Sequence, residues 1–364
     1  MREIDAWWIP AEDGGYEREY IWPFVNREFE IKLWYGGDQS SRQISRISQS
    51  RLGLIFIDNS VGDLGFLDGF PPKSIAVFLV SDETYSSWLT LRIARKKSVK
   101  IVYRDYPLRS FRSLRQYPRV LFYSIRNYLN SEIEATLLFR AFFAGLALFA
   151  KQIVMRIGMK LLKKSIREFP LGYTNSYCRE YSKCFNLKSN VSLVTHAMEI
   201  GIERSMSEKD EEEFFSGQWG KFDRQVVLNS AKNGKLRFGT IHSSFGGSEH
   251  RELLQQSEEE YFKGLLASKY SICPPGNYSS ETFRYLESIL VGSYPLTSQY
   301  VLSDFLSQKK MQISIQEYLN SKLSLSYDST SRVAEIRASL NSYLNQFREI
   351  VGNIEGIGEI TNPS

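Results

Sequence analysis

Arg284 and Glu287, three residues apart, are the side chains of this sequence that are best placed to do chemistry. They follow a Pro-Pro-Gly-Asn turn. The pattern around them predicts a short apolar strand, the turn, a helix beginning at Ser279 or Ser280, a stop at Gly292 and a second strand. Residues three apart share one face of a helix, so both side chains would lie near its beginning. One strand and the helix after it must therefore position this pair.

The beginning of such a helix is a natural anion site because its first backbone N–H groups have no partner within the helix. Arginine suits a diphosphate because its planar fork is always charged, and a glutamate accepts both hydroxyls of a ribose. Gly276 and Asn277 would let the backbone approach the phosphates closely, although both types are common in ordinary turns. The alternative for Arg284 and Glu287 is a weak surface ion pair. We predict a nucleoside-diphosphate site, which indicates a nucleotide-sugar enzyme.

Three motifs in this region together resemble the donor-binding signature of the exostosin-like glycosyltransferases, family 47. They are Cys273-Pro274-x-Gly276, Glu281-Thr282-Phe283-Arg284-x-x-Glu287 and Gly292-x-x-Pro295. The Thr-Phe-Arg form is similar to the xylosyltransferase-like branch. Shorter fragments follow the family's order earlier in the chain: Ser81-Asp82-Glu83, Arg126-Asn127-Tyr128, Pro170-Leu171-Gly172-Tyr173, and Phe215-Ser216-Gly217-Gln218 with Arg224. The first 45 residues and the C-terminal tail carry no such resemblance.

The resemblance implies an α/β protein of GT-B type, in which two Rossmann-like domains face each other across a cleft. It also implies a set of residues that bind the nucleotide sugar: Gly217, Gln218, Arg224, Pro274, Gly276, Asn277, Thr282, Arg284 and Glu287. The transfer would proceed with inversion and without a metal ion.

A carboxylate at the end of an N-terminal strand is the predicted catalytic base, which would take the proton of the acceptor hydroxyl. Asp82 and Glu83 directly follow an apolar run and are the first choice, with Asp58 next. The alternative is that Ser81-Asp82-Glu83 caps the helix that follows, a role for which Ser and Asp are well suited.

Short runs at 52–57, 74–80, 99–103 and 119–125 are rich in Val, Ile, Phe or Tyr and predict strands of a sheet that is covered on both faces. We predict an acceptor-side Rossmann-like domain over residues 1–205 and a nucleotide-sugar domain over 206–330. The charged run at 205–213 would be the linker between them. A second α/β unit would contain strands at 214–216 and 236–241 and a helix over 249–267. Apolar residues at helical spacing over 331–364 predict a terminal helix that packs back on the body.

A long helical stretch over 133–167 stands out as an insertion relative to the family. Arg156, Lys160, Lys163 and Arg167 would form one basic stripe on it, with apolar residues on the other side. Such a helix is typical of contact with a membrane surface. The alternative is an ordinary helix whose apolar side faces the sheet. Its apolar core is too short and too interrupted by charge to predict a membrane span.

The net charge and the residue composition indicate which kinds of partner the protein could bind. The net charge of +5 fits an anionic ligand or membrane surface and argues against a nucleic-acid-binding protein. Three histidines without metal spacing, and the absence of Asp-x-Asp from the sequence, predict no metal site, and no cofactor is predicted. Three cysteines and an N-terminus without a secretory pattern favour the cytoplasm, with peripheral contact to the inner face of the membrane as an addition.

The sequence therefore predicts a glycosyltransferase that uses a nucleoside-diphosphate sugar, with UDP as the expected nucleotide, and a glycan or lipid-linked glycan as acceptor. Two alternatives remain open. One is a fucosyltransferase-like GT-B enzyme that uses a GDP-sugar, against which Arg284 and Cys273-Pro274 argue. The other is a non-catalytic, membrane-associated scaffold with the same fold.

Overall fold

The structure is a computed structural model of the 364-residue chain. It describes residues 4–9, 27–28, 31–35, 53–58, 61–80, 87–104, 135–168, 172–214, 257–273, 283–297, 313–314, 318 and 329–359.

The first sheet has six parallel strands in the order β2-β1-β3-β4-β5-β6. Its strands are β1 (Ile4–Ile9), β2 (Ile31–Tyr35), β3 (Gly53–Asp58), β4 (Ile75–Val80), β5 (Val99–Arg104) and β6 (Ser165–Glu168). The strand order reverses between β1 and β3, and in open parallel sheets ligands bind beside such a switch point, outside the carboxyl ends of the strands. Asp58, the last residue of β3, lies at this edge.

This sheet is covered on both faces, as its apolar runs predict. Alternate residues of β3, β4 and β5 belong to two separate apolar clusters, one on each side of the sheet. On one side the rings of Phe56, Phe78 and Tyr103 stack across neighbouring strands, with centroids 4.7 and 4.6 Å apart. On the other side the sheet packs against two helices, α1 (Ser87–Arg95) and α2 (Ala135–Leu161). The predicted strands at 52–57, 74–80 and 99–103 are confirmed, whereas the one at 119–125 lies outside the described residues.

Helix α2 is shorter than the predicted helical stretch and connects β5 to β6. It ends at Leu161 because Lys163 adopts a left-handed conformation (φ 51°) and Lys164 N–H donates to the carbonyl of Met159 at 3.1 Å. Residues 165–168 then pair with β5 as a parallel edge strand. The predicted stripe from Arg156 to Arg167 on one helix is therefore wrong, because Arg167 lies on a strand.

The second sheet has four parallel strands in the order β10-β9-β8-β7. They are β7 (Glu211–Phe214), β8 (Ser268–Cys273), β9 (Tyr294–Thr297) and β10 (Ile313–Ser314). The predicted linker at 205–213 is corrected by β7, which begins within it. Glu213 is buried and accepts a hydrogen bond from Tyr318 Oη at 2.7 Å, so a charged residue is accommodated in a strand by a distant partner.

The described residues form further helices in addition to α1 and α2. In chain order they are α3 (Asn175–Phe185), α4 (Leu193–His196), a π-helical turn (Ala197–Gly201), α5 (Ile202–Met206), α6 (Glu258–Ala267), α7 (Phe283–Leu290) and α8 (Ser329–Glu359). Helix α6 begins at Glu258 rather than at 249, since Ser257 is extended and forms a capping box with Glu260.

Helix α8 packs back on the body, as its apolar spacing predicts. Ile336 and Leu340 are buried in the cluster that also contains residues of both sheets. Arg337 Nε donates to the carbonyl of Met198 at 2.6 Å, which fixes α8 against the π-helical turn. The whole is an α/β fold with parallel sheets.

Candidate functional site

The predicted strand, helix and second strand around Arg284 and Glu287 are present, whereas the predicted turn and the helix start at Ser279 or Ser280 lie outside the described residues. Strands β8 and β9 are parallel, with Tyr270 opposite Tyr294, and α7 connects them. After α7 the chain turns at Gly292, which has a φ of 79°. A Cβ atom at that position would also lie 2.7 Å from Met206 Cε. Glycine is favoured here for its backbone conformation, and a Cβ atom would also displace the end of the Met206 side chain, so the predicted helix stop is confirmed.

Arg284 is the second residue of α7, the helix that follows β8 in the chain. Its side chain is partly buried, and its guanidinium carbon is 5.8 Å from the centroid of the Phe283 ring. Its Nε atom is buried and makes no hydrogen bond among the described residues. An arginine with a donor left over at this edge of a parallel sheet is suited to an anionic ligand.

Cys273, the last residue of β8, is fully buried beside this arginine. Burial raises the pKa of its thiol to about 11, so the group is protonated at neutral pH. It lies 3.5 Å from Ser288 Oγ. Because a nucleophilic cysteine needs a thiolate, Cys273 has a packing role here.

Glu287 is completely buried, and its carboxylate is engaged by two distant segments. Its Oε1 atom accepts hydrogen bonds from Thr174 N–H at 2.8 Å and from Thr174 Oγ1 at 2.6 Å. Its Oε2 atom accepts one from Tyr261 Oη at 2.7 Å. Burial raises the pKa of this carboxyl above its usual range in spite of these hydrogen bonds. The carboxylate therefore joins α7 to the beginning of α3 and to α6.

Thr174 is the N-cap of α3 and has two functions at once. Its Oγ1 atom accepts a hydrogen bond from Tyr177 N–H at 3.2 Å while its hydroxyl donates to Glu287. Tyr177 Oη in turn donates to the backbone carbonyl of Glu287 at 2.9 Å. The N–H group of Thr174, at the beginning of α3, thus donates to a carboxylate of α7.

A second carboxylate, that of the partly buried Glu28, accepts a hydrogen bond from the residue just before Thr174. Its Oε1 atom accepts from Tyr173 Oη at 3.0 Å and from the N–H groups of Leu193 and Val194, at 3.0 and 3.2 Å, and Ser192 Oγ donates to Oε2. Burial raises the pKa of Glu28 as well. Tyr173 and Thr174 are therefore held between carboxylates that come from opposite ends of the chain.

Glu28 was not predicted as a site residue, because its partners are more than a hundred residues away and no local spacing marks it. The fragment that ends in Tyr173 was identified from the sequence, but no role was assigned to it. Gly172 there has a φ of 77° and leads directly into the two residues that the carboxylates hold. The fragment's contribution in the structure is to connect distant segments.

The other predicted residues of the donor site and the base lie outside the described residues: Asp82, Glu83, Gly217, Gln218, Arg224, Pro274, Gly276, Asn277 and Thr282. For the base, the backbone gives one constraint. Asp58, the last residue of β3, is opposite Val80, the last residue of β4, so the carboxyl ends of these two strands lie side by side.

The four predicted basic residues of the membrane stripe do not act together. Lys160 and Lys163 are exposed, Arg156 is partly buried, and Arg167 lies on β6 with its Nη1 atom 3.9 Å from Glu349. Among the described residues, no group of three or more histidine, cysteine or acidic side chains is placed to hold a metal ion.

A cavity of about 780 Å³ lies away from this site, near the amino ends of β4 and β5. Its basic lining residues are Arg92, Arg95, Lys96 and Lys97. Arg92 donates to the carbonyl of Gly62 at 2.8 Å, and Lys96 pairs with Asp68 at 2.6 Å. These contacts satisfy two of the cations internally, and the pocket lies at the edge of the sheet opposite to the one where ligands of parallel sheets bind.

Neither a model of a known protein family nor a curated protein matches this sequence. The resemblance to family 47 therefore stays a prediction that rests on the motifs.

Proposed function

We propose that this protein is an inverting, metal-independent glycosyltransferase of GT-B type that takes its sugar from a nucleoside-diphosphate donor, with UDP as the nucleotide. The observation that carries the proposal is the position of Arg284. It lies at the beginning of a helix that follows a parallel strand, and its buried Nε atom makes no hydrogen bond among the described residues. A diphosphate bound there would supply the missing acceptor.

The fold supports this proposal in general terms. Both sheets are parallel, and such sheets bind nucleotides at the carboxyl ends of their strands. Arg284 follows that end of β8, and Asp58 lies at that end of β3, beside the switch point. In the proposed enzyme the first sheet belongs to the acceptor side and the second to the donor side.

The proposed reaction needs a base and a stabilised leaving group. The acceptor oxygen forms a bond to C1 of the sugar as the bond from C1 to the diphosphate oxygen breaks, and UDP leaves with that electron pair. The proton of the acceptor hydroxyl passes to a carboxylate, for which Asp82, Glu83 and Asp58 are the candidates. Arg284 would stabilise the charge that develops on the diphosphate.

The proposal assigns a narrower role to Glu287 than the motif implies. Its carboxylate is buried and bonded to Thr174 and Tyr261, so contact with a ribose requires Tyr261 to move away. Glu287 is therefore a positioning residue, which holds α7, and with it Arg284, against α3 and α6.

The burial of Glu287 also favours a second candidate, a non-catalytic scaffold with this fold. In such a protein the Glu of the motif would serve only to join helices, and Arg284 would bind no ligand. Affinity for a nucleotide separates the two candidates, since a scaffold has none.

A thermal-shift screen tests the proposed function. The full chain is heated with UDP, GDP, CMP and their common sugar conjugates, with EDTA present throughout. We expect UDP and one or more UDP-sugars to raise the melting temperature in EDTA, since binding to the folded state alone stabilises it. A shift with GDP alone would support the fucosyltransferase-like enzyme. The absence of any shift at millimolar nucleotide would contradict the proposal and favour the scaffold.

A further inference from the structure

We propose that one face of helix α2 binds the surface of an anionic lipid bilayer. Large apolar side chains on this face are between 48% and 78% exposed in the structure. We call them the apolar stripe, and its members are Phe143, Leu146, Val154, Ile157 and Leu161. Exposed apolar residues are common singly, but a continuous set of this kind marks an interaction surface.

The stripe follows the helical repeat. Its members recur at intervals of three, four, seven or eight residues, so they lie on one side of α2, and they extend over about 27 Å at 1.5 Å per residue. The opposite side of the helix carries Met155 and Met159, which are buried against the sheet and α1. Among the described side chains of α2, the buried ones lie on the side of Met155 and Met159, whereas the members of the apolar stripe are 48% to 78% exposed.

The contact between α1 and α2 fixes the direction of the stripe. Leu91 of α1 packs so closely on Gly158 that a Cβ atom there would lie 2.4 Å from Leu91 Cδ2. Val154 and Leu161 are neighbours of Gly158 on the helix surface. Trp88, three residues before Leu91 on the same side of α1, is 63% exposed. A tryptophan beside an apolar stripe is typical of residues that lie at the membrane–water interface.

The charges of α2 select an anionic partner. Its only charged residues are Arg140, Lys151, Arg156 and Lys160, and its sequence contains no acidic residue. Lys151 and Lys160 are exposed and fall roughly a quarter turn to either side of the stripe. The same helix of a second copy of this chain would bring only like charges against them. Anionic headgroups would meet an apolar surface with basic residues on both sides, which is the pattern of a helix that lies in the interface.

The binding would be peripheral. Among the described residues, no helix is long and apolar enough to cross a membrane. The buried side of α2 also keeps the helix against α1, so that it lies parallel to the bilayer surface. The surface differs from the basic stripe expected from the sequence, because the apolar side chains supply the contact and Arg167 takes no part. It is independent of nucleotide binding.

Co-sedimentation with vesicles tests the proposal on the full chain. Phosphatidylcholine vesicles are compared with phosphatidylcholine vesicles that contain phosphatidylglycerol. We expect the protein to sediment with the anionic vesicles. The combined variant Val154→Ser, Ile157→Ser and Leu161→Ser should bind the anionic vesicles at least about tenfold more weakly than the wild-type protein, since it removes apolar area that enters the bilayer. Ile200→Ser is the matched control, because Ile200 is equally exposed (56%) but lies outside α2.

A charge variant separates the two contributions. Lys151→Gln combined with Lys160→Gln should reduce the preference for phosphatidylglycerol, whereas Lys188→Gln, an exposed lysine elsewhere, should not. The serine variant should keep the wild-type melting temperature, since its substituted side chains are exposed. Failure of the wild-type protein to bind anionic vesicles overturns the proposal. A wild-type dimer that the serine variant converts to a monomer, without vesicle binding, also overturns it and makes the stripe a self-association face.

Discussion

The Oε1 atom of Glu287 accepts two hydrogen bonds from Thr174, one from its N–H group at 2.8 Å and one from its hydroxyl at 2.6 Å. The two residues are 113 positions apart in the chain. Thr174 caps α3, and Glu287 is in the middle of α7, so this contact joins the segment before the second sheet to a helix within it. The geometry of α7, which carries Arg284, depends on it.

Replacement of Glu287 by alanine should destabilise the fold by about 3 kcal/mol or more. The substitution leaves the N–H and hydroxyl groups of Thr174 and the hydroxyl of Tyr261 buried without an acceptor, at about 1–3 kcal/mol for each. Glu287→Gln should cost less, because its amide oxygen accepts from Thr174 and its amide nitrogen donates to Tyr261. Denaturant unfolding of the wild-type protein and of both Glu287 variants measures these losses of stability, with Glu259→Ala as the control. Glu259 forms an exposed ion pair with Lys263, so its loss should cost far less than the loss of Glu287. Equal losses for Glu287→Ala and Glu259→Ala would show that the buried contact contributes nothing.

The pH dependence of stability should differ between the wild-type protein and Glu287→Gln. Burial raises the pKa of Glu287 in the folded state above its ordinary value of 4.5, so the folded state holds this proton more tightly than the unfolded state. The stabilisation is present in full below pH 4.5 and is lost as the pH rises through the higher folded pKa. The glutamine variant has no carboxyl proton at this position, so it cannot lose this stabilisation. Glu28, whose pKa is also raised, is present in both proteins and so cancels in the comparison. The stability of the variant relative to wild type should therefore increase as the pH rises from 4 towards neutrality. A constant difference over that range would contradict the raised pKa.

Replacement of Gly292 by alanine should destabilise the protein by about 1–2 kcal/mol, because the left-handed conformation is costly for a residue with a Cβ atom. The contact with Met206 at 2.7 Å adds to the cost. Gly62→Ala is the matched control, since a Cβ atom at Gly62 meets nothing within 4 Å. Thermal unfolding of both variants tests the prediction. If Gly292→Ala melts at the same temperature as Gly62→Ala, the helix stop at Gly292 does not require glycine.

Local pattern predicted the parts of the fold in which neighbouring residues decide the structure. The apolar runs that became β3, β4, β5 and β8 have no charged residue in their centres, and a sheet covered on both faces requires such strands. Gly292 could be predicted as a helix end for the same local reason. Strands β1 and β2 were not predicted, although both lie in the first sheet.

The parts that failed depend on partners far along the chain. The run before β7 reads as a linker because it is charged, but Lys209 is partly buried and donates to the carbonyls of Leu265 and Leu266 and to Ser293 Oγ. Glu213 is held in the same way by Tyr318. A residue's charge predicts exposure only when no distant partner satisfies it, and the sequence alone does not name that partner.

The candidate site shows the same difference between features set by local pattern and features set by distant partners. The position of Arg284 after a parallel strand follows from the strand–turn–helix pattern and is confirmed. The engagement of Glu287 by Thr174 and Tyr261 was not predicted, because it requires the three-dimensional packing of α3 and α6 against α7. The motif predicted where the two residues lie on the helix, but not what the carboxylate contacts.

Calorimetric titration of the full chain with UDP, in EDTA, tests the central claim most directly. The wild-type protein should bind UDP, and Arg284→Ala should bind it at least about tenfold more weakly, since a hydrogen bond to a charged group contributes about 1.5–3 kcal/mol. Arg179→Ala is the control, because Arg179 is an exposed arginine that pairs with Glu258 and should leave the affinity unchanged. Equal UDP affinity of the wild-type protein and Arg284→Ala would remove Arg284 from the donor site, and no UDP binding by the wild-type protein would contradict the proposed function itself.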